Sequence, residues 1–163
     1  QKLLLGTVLH KLFEILLTDE TMVPLLIEEL CAKSDLPGIS EKELMFVVES
    51  FQNTGLWERV RQSEERYMEV PFSYKILAGE TFLDSTAEND IYANGYIDLV
   101  FREGNSWTII DYKTCAHGEV KSKLEAYYAP QLAIYKRAWE QLSGEPVGKT
   151  EIFFVEKSNR NIE

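Results

Sequence analysis

The sequence is short of the features that most often give a quick reading. It holds two cysteines, Cys31 and Cys115, in 163 residues, too few for a disulfide framework or a cysteine-ligated cluster. Cys31 falls in an apolar helical stretch and reads as a core residue, and a reducing, cytoplasmic setting is expected. No apolar run reaches membrane-spanning length and the first residues do not read as a leader peptide, so the expectation is of no membrane partner. Basic residues are scarce as well: 17 Lys and Arg stand against 27 Asp and Glu, for a formal net charge of −10 and a pI near 4.8. A domain that grips nucleic acid unaided normally displays a basic footprint. Composition alone therefore argues against that role.

What remains is an ordinary globular composition, 45% hydrophobic and 27% charged. The length suits one domain, 1–163, with a substantial core. The chain starts at Gln1 and runs out through Asn159-Arg160-Asn161-Ile162-Glu163, and the expectation is a piece of a longer protein.

The most informative stretch is Gly95–Lys113. Gly95-Tyr96-Ile97-Asp98-Leu99-Val100-Phe101 and Trp107-Thr108-Ile109-Ile110-Asp111-Tyr112-Lys113 flank a polar turn, the pattern of a hairpin. Strict alternation assigns Tyr96, Asp98 and Val100 to one face of the first strand and Ile109, Asp111 and Lys113 to one face of the second. Ile97, Leu99, Phe101, Ile110 and Tyr112 then form the opposite, apolar face. A single Asp in a strand is usually an edge or bulge residue, and an Asp/Lys pair two apart is usually a solvated ion pair. Three charges on one face of an apolar hairpin are harder to dismiss. Two facing carboxylates repel unless something neutralises them. A divalent cation between Asp98 and Asp111, with Lys113 alongside, meets that need and suits phosphodiester hydrolysis.

Around the hairpin the chain divides as follows. Leu5, Val8, Leu9, Leu12, Phe13 and Leu16 give a helix over 2–17, with His10 on a neighbouring stripe. Taken alone, His10 reads as a satisfied or exposed histidine. A second helix is expected over Met22–Lys33, then a loop at Ser34-Asp35-Leu36-Pro37-Gly38. The capping box Ser40-Glu41-Lys42-Glu43 opens a third helix, with Gly55 as its C-terminal cap. Residues 19–60 thus read as a helical lobe. Residues 66–75 alternate as a strand, with Met68, Val70, Phe72 and Tyr74 facing one way and Tyr67, Glu69 and Pro71 the other. Pro71 marks an edge or bulge, and Glu69 reads equally as solvent-facing or as part of a site. Residues 78–90 form a polar, acidic loop in which Asp84 and Asp90 are solvated. A long helix over 122–142 puts Gln131 and Tyr135 on one face; an amphipathic helix with two incidental polar tips would look the same. Thr150–Val155 is a final strand, apolar enough to be central or well covered.

Gly-x-x-Asp at Gly95–Asp98, Asp111-Tyr112-Lys113 and Gln131-Leu132-Ala133-Ile134-Tyr135, taken in order, resemble the RecB-like nuclease domain of the PD-(D/E)XK superfamily. The nearest likeness is to the C-terminal nuclease domain of AddA-type ATP-dependent helicase–nuclease subunits. Gly6-Thr-Val-Leu-His10 resembles that family's Gly-x-x-x-His helix, and Glu69-Val70-Pro71-Phe72 its Glu-x-Pro-Phe strand. Tyr96 departs from the Arg or other polar residue that many relatives carry, which bears on substrate contacts and not on the metal ligands.

The resemblance implies an α/β fold of the restriction-endonuclease-like kind, a mixed central sheet flanked by helices. It implies Mg²⁺, with Mn²⁺ as a substitute, held by His10, Asp98, Asp111 and the backbone carbonyl of Tyr112. Asp98, Asp111, Lys113, Gln131 and Tyr135 would be the catalytic set. Glu69 would hold a water at the metal or orient Lys113. A four-cysteine iron–sulfur cluster, present in some relatives, has no ligands here. The implied activity is exonucleolytic DNA cleavage within a helicase–nuclease that processes double-strand ends in recombinational repair. The implied partners are DNA, covalently attached helicase domains and a second helicase–nuclease subunit. Two other classes stay open: an inactive nuclease-fold module for DNA-end binding or protein interaction, and an acidic protein-interaction domain with no DNA role. The negative charge is reconciled with the motif if a neighbouring domain grips the DNA, helped by a local cluster of Lys113, Lys121, Lys123, Lys136 and Arg137.

Overall fold

The computed structural model describes residues 2–33, 38–115 and 119–156. These form two compact units, one of Gln1–Glu64, Tyr112–Glu119 and Phe154–Glu163, the other of Glu65–Asp111 and Val120–Phe153. Ser34 to Pro37, most of the expected loop, lie outside the described residues.

The first unit carries four helices: α1 (Lys2–Thr18), α2 (Val23–Ala32), α3 (Glu41–Gln52) and α4 (Gly55–Gln62). Helical spacing buries Val8, Leu9, Leu12, Phe13 and Leu16 of α1 as expected. Asp19 stops that helix's register and caps a 3-10 turn at Glu20–Met22, its carboxylate accepting from the Thr21 N–H at 3.0 Å. The capping box at α3 is complete: Ser40 Oγ accepts from Glu43 N at 3.2 Å, and Glu43 Oε2 accepts from Ser40 N at 2.8 Å. Gly55 is not the cap of α3. That helix ends at Gln52 with Asn53 as its cap, and Thr54 caps a further helix by accepting from Trp57 N at 3.2 Å. Leu56, Trp57 and Val60 of α4 are buried. The Thr-Gly pair that reads as a stop is an N-terminal cap followed by a tolerated first-turn glycine. Tyr112 belongs to this unit, its ring centroid 4.8 Å from Phe13 and 6.2 Å from Phe51.

The second unit is built on β1 (Arg66–Ile76), a small hairpin of β2 (Thr81–Phe82) and β3 (Ser85–Thr86), β4 (Ile91–Glu103), β5 (Ser106–Cys115) as far as Asp111, α5 (Lys121–Ser143) and β6 (Val147–Glu156) as far as Phe153, the ends of β5 and β6 belonging to the first unit. The main sheet runs β1-β4-β5-β6, with β1, β4 and β5 antiparallel in turn. Its last pair is joined by the α5 crossover, the connection that parallel neighbours require, so the sheet is mixed. β1 lies at an edge, as Pro71 suggested. The last strand starts earlier than expected and lies at the other edge of the sheet, so of the two expectations for it, central or well covered, the central one fails. Residues 78–90 are less loop-like than their composition: they contain the β2–β3 hairpin, and Asp90 pairs with Lys75 at 2.6 Å and accepts from Ala78 N at 2.9 Å.

α5 packs on the sheet through Leu132, Tyr135, Ala138 and Trp139, over Phe72, Ile97, Val100, Trp107 and Ile109. Gly144, left-handed at φ 72°, ends it. Glu145 then ties this corner to the β4–β5 hairpin, its carboxylate accepting from Trp107 Nε1 at 2.8 Å and from Arg102.

Gly95 explains itself by proximity. A Cβ there would stand 3.2 Å from Cε1 of Phe72, and that ring is hemmed in by Tyr135 at 5.3 Å between centroids. Gly95→Ala should therefore cost about 1–3 kcal/mol through overpacking, read as a lower melting temperature. Phe72→Leu in the same chain should restore part of the loss; no recovery would point to a cause other than this contact.

Candidate functional site

Strand alternation holds in β1 and β4 except at one place. Tyr67 packs its ring against Trp107 and Trp139 of the α5 cluster, yet Val70, three residues on, packs against the same cluster. Ile97 and Val100 of β4, also three apart, both belong to it. Residues three apart on a regular strand face opposite ways. The switch occurs at Glu69, whose φ of 50° is left-handed, an uncommon state for a residue with a Cβ. The expected sharing of one face by Tyr96, Asp98 and Val100, and by Ile97 and Leu99 on the other, therefore fails across this point. So does the grouping of Tyr67 with Glu69 and Pro71.

The interruption falls where the acids are. Met68 pairs with Leu99 and Val70 with Ile97, which brackets Glu69 opposite Asp98. Leu99 pairs with Ile110, so the next step along the hairpin sets Asp98 opposite Asp111. Glu69, Asp98 and Asp111 thus stand in one row across three adjacent strands. A carboxylate oxygen of Glu69 lies within 4.8 Å of one of Asp98. Among the described residues, Asp98 (4% exposed) and Asp111 (1%) are the buried charged side chains.

From the helix side, Tyr135 reports the same convergence. Burial pushes its phenol well above the ordinary tyrosine range, and the negative charges of Asp111, Asp98 and Glu69 push it further. The hydroxyl therefore stays protonated throughout the neutral range and can only be a neutral donor or acceptor there. Gln131, one turn earlier on α5, holds its Oε1 buried with no hydrogen-bond partner among the described residues. The second unit thus gathers Glu69, Asp98, Asp111 and Tyr135, with Gln131 on the same helix face as Tyr135.

Three further candidates lie in the first unit. His10 is half-buried on α1, its ring edge-on to Tyr112 with centroids 5.6 Å apart. Tyr112 is buried among aromatic rings, and Lys113, the next residue of β5, is half-buried. Asp111, Tyr112 and Lys113 are consecutive along one strand, which alone keeps their backbones adjacent.

The donors fit a hard cation. Buried like charges without compensation are very costly, and carboxylate oxygens are what a Mg²⁺- or Mn²⁺-type ion takes.

A family model described as the PD-(D/E)XK nuclease superfamily matches residues 1–162. Curated relatives include three proteins named as ATP-dependent helicase/nuclease subunits. That of Carboxydothermus hydrogenoformans is 32% identical over 131 residues, 78% of this chain and 11% of the relative. The protein from Syntrophomonas wolfei is 32% identical over 107 residues, 65% of this chain and 9% of the relative. The one from Oceanobacillus iheyensis is 26% identical over 143 residues, 83% and 11% respectively. The chain spans about a tenth of the length of these relatives. With a family match over nearly every residue, and with acids aligned on a mixed sheet, the chain belongs to the PD-(D/E)XK nuclease superfamily.

Proposed function

We propose that this domain hydrolyses phosphodiester bonds in DNA with a divalent cation, as the nuclease part of a longer helicase–nuclease that trims double-strand ends. The observation that carries the reading is the row Glu69–Asp98–Asp111, its two aspartates buried, standing near a Tyr135 phenol whose proton is held more tightly by burial and, beyond that, by all three charges.

Asp98, Asp111 and the backbone carbonyl of Tyr112 would hold the cation, with His10 completing the set through a neutral imidazole nitrogen. Mg²⁺ is the expected ion and Mn²⁺ a substitute. When bound, it supplies charge neutralisation at the scissile phosphate and eases loss of a proton from water. The remaining work falls to the chain's own side chains. Lys113 follows the aspartate on the same strand, and its ammonium positions the attacking water or offsets charge on the phosphate. The left-handed turn at Glu69 brings its carboxylate to Asp98, where it can accept a hydrogen bond from water or from Lys113. Tyr135 donates its O–H and cannot act as a base near neutral pH, because burial and its acidic neighbours disfavour the phenolate. Gln131 offers a buried carbonyl oxygen to a donor such as an ordered water.

Metal binding tests the reading without any substrate. A cation that binds only the folded chain stabilises it by about 2.7 kcal/mol at a hundredfold excess over Kd. For a chain of this size that is roughly a 5–10 °C rise in Tm. Mn²⁺ or Mg²⁺ should produce it, and Asp98→Asn should abolish it. An equal rise in the variant would mean that the cation acts elsewhere.

A further inference from the structure

Glu69, Asp98 and Asp111 are strand residues, and β-pairing sets their places. Tyr135 comes to them from a helix, so the position of its hydroxyl depends on what its ring packs against. That ring meets Phe72 of β1 edge to face, at 5.3 Å between centroids and 74° between planes, an arrangement that aromatic pairs favour. Both side chains are buried, Phe72 at 9% and Tyr135 at 6% exposed.

Phe72 is confined in turn by its strand partner. It pairs with Gly95 of β4, and a Cβ at Gly95 would stand 3.2 Å from its Cε1 and 3.4 Å from its Cζ. The phenyl ring therefore rests on bare backbone, a floor that cannot swing aside as a side chain would. Contact thus runs unbroken from Gly95 through Phe72 to Tyr135. Gly95 lies three residues from Asp98 on β4, and Phe72 three residues from Glu69 on β1. The same two strands carry both the acids and the props of the phenol. Filling the core at this point needs only an apolar side chain of the right size. An edge-to-face ring does more, because it constrains both the depth and the tilt of its partner.

We propose that Phe72 is a positioning residue for the Tyr135 hydroxyl: resting on Gly95, it sets how far the phenol stands from Glu69, Asp98 and Asp111. This rests on the nuclease reading for the use made of that hydroxyl. The role involves no contact between Phe72 and substrate or cation. Its effect on cleavage must therefore pass through the oxygen of Tyr135.

A double-mutant cycle separates this role from plain packing. The 163-residue chain is assayed in excess over a labelled DNA strand, with Mn²⁺ and at low salt, so that the rate reads the step on bound DNA. Phe72→Leu should slow cleavage about tenfold to a hundredfold, the effect of a small misplacement. In a Tyr135→Phe background, itself slower than the parent, the same change should alter the rate by less than about twofold. It should lower Tm by a similar amount in both backgrounds, because packing does not need the oxygen. Gly95→Ala presses on the Phe72 ring, with no atom of Tyr135 within 4 Å of the added carbon, and should repeat the pattern. A substrate-free readout uses tyrosine labelled with ¹³C at Cζ, the Tyr135 signal being the one lost in Tyr135→Phe. Mg²⁺ should shift that signal in the parent, and Phe72→Leu should cut the shift by about half or more as the phenol moves off the acids. In a chain that cuts, equal slowing by Phe72→Leu in both backgrounds, or a Tyr135→Phe variant as fast as the parent, overturns the role. An undiminished Mg²⁺ shift in Phe72→Leu overturns it in any case. If the parent cuts nothing while Phe72→Leu still loses the Mg²⁺ shift, cleavage falls and the positioning stands.

Discussion

Asp111→Ala is expected to remove DNA cleavage while leaving a folded protein. The first half follows from its place in the row of acids. A cation held by Asp98 and Asp111 would supply several kcal/mol of charge stabilisation, and each loss of about 1.36 kcal/mol is tenfold in rate. Loss of a ligand should thus cost about a thousandfold or more. The second half needs a reason of its own, because Asp111 is 1% exposed. Truncating a buried side chain normally destabilises. Here it also removes one of two facing buried carboxylates, with Glu69 next in the row, and relief of that repulsion acts in the opposite direction. Without metal, the variant should melt close to the parent. Asp111→Asn, which keeps the volume, should melt at or above it. Lys113→Ala should lose cleavage by about 10²–10³-fold yet keep the metal-dependent rise in Tm, separating chemistry from metal binding. Cleavage retained by Asp111→Ala with Mg²⁺ present would sink the mechanism.

The acids are legible in the sequence because charge is conspicuous where every neighbour is apolar. Ile97, Leu99, Val100, Ile109 and Ile110 are each fully buried, and strands of that kind leave a carboxylate no route to water. Helix starts are legible wherever a side chain can be matched to an orphan N–H, as at Ser40. What escapes the sequence is instructive in the same terms. Thr54-Gly55 ends one helix and begins another, and nothing local distinguishes a glycine that terminates from one that is tolerated in a first turn. The switch of faces at Glu69 is invisible because a left-handed glutamate is set by its surroundings rather than by its own preference. Pro71 two residues later signals irregularity without locating it. The edge position of β6 depends on which strands pair, which is a matter of topology that a run of apolar residues does not encode.

The second large effect concerns delivery. Phosphate neutralisation by Lys and Arg supplies most non-specific affinity for DNA, and this chain carries a net charge of −10. The basic cluster that could soften this is partly committed within the fold. Arg137 donates to Glu80 Oε1 at 3.2 Å and to the Thr81 carbonyl at 3.1 Å, and its guanidinium lies over the Phe82 ring. Lys136 sits 3.9 Å from Glu140. The isolated chain should accordingly bind DNA weakly, lose that binding steeply with salt, and cut poorly. Attachment to a motor changes the problem from affinity to geometry, because a tethered strand reaches the site at an effective concentration in the millimolar range. Since the chain spans about a tenth of relatives named helicase/nuclease, the comparison is between this fragment and the full-length protein it would belong to. On the same labelled duplex and single strand, the full-length protein with ATP should cut at least about a hundredfold faster than the fragment. Omitting ATP should remove most of that advantage on duplex, where the motor must first separate the strands, and less of it on single strand. Equal rates for fragment and ATP-driven full-length protein would mean that the domain grips DNA by itself, and that its acidic surface is no obstacle to doing so.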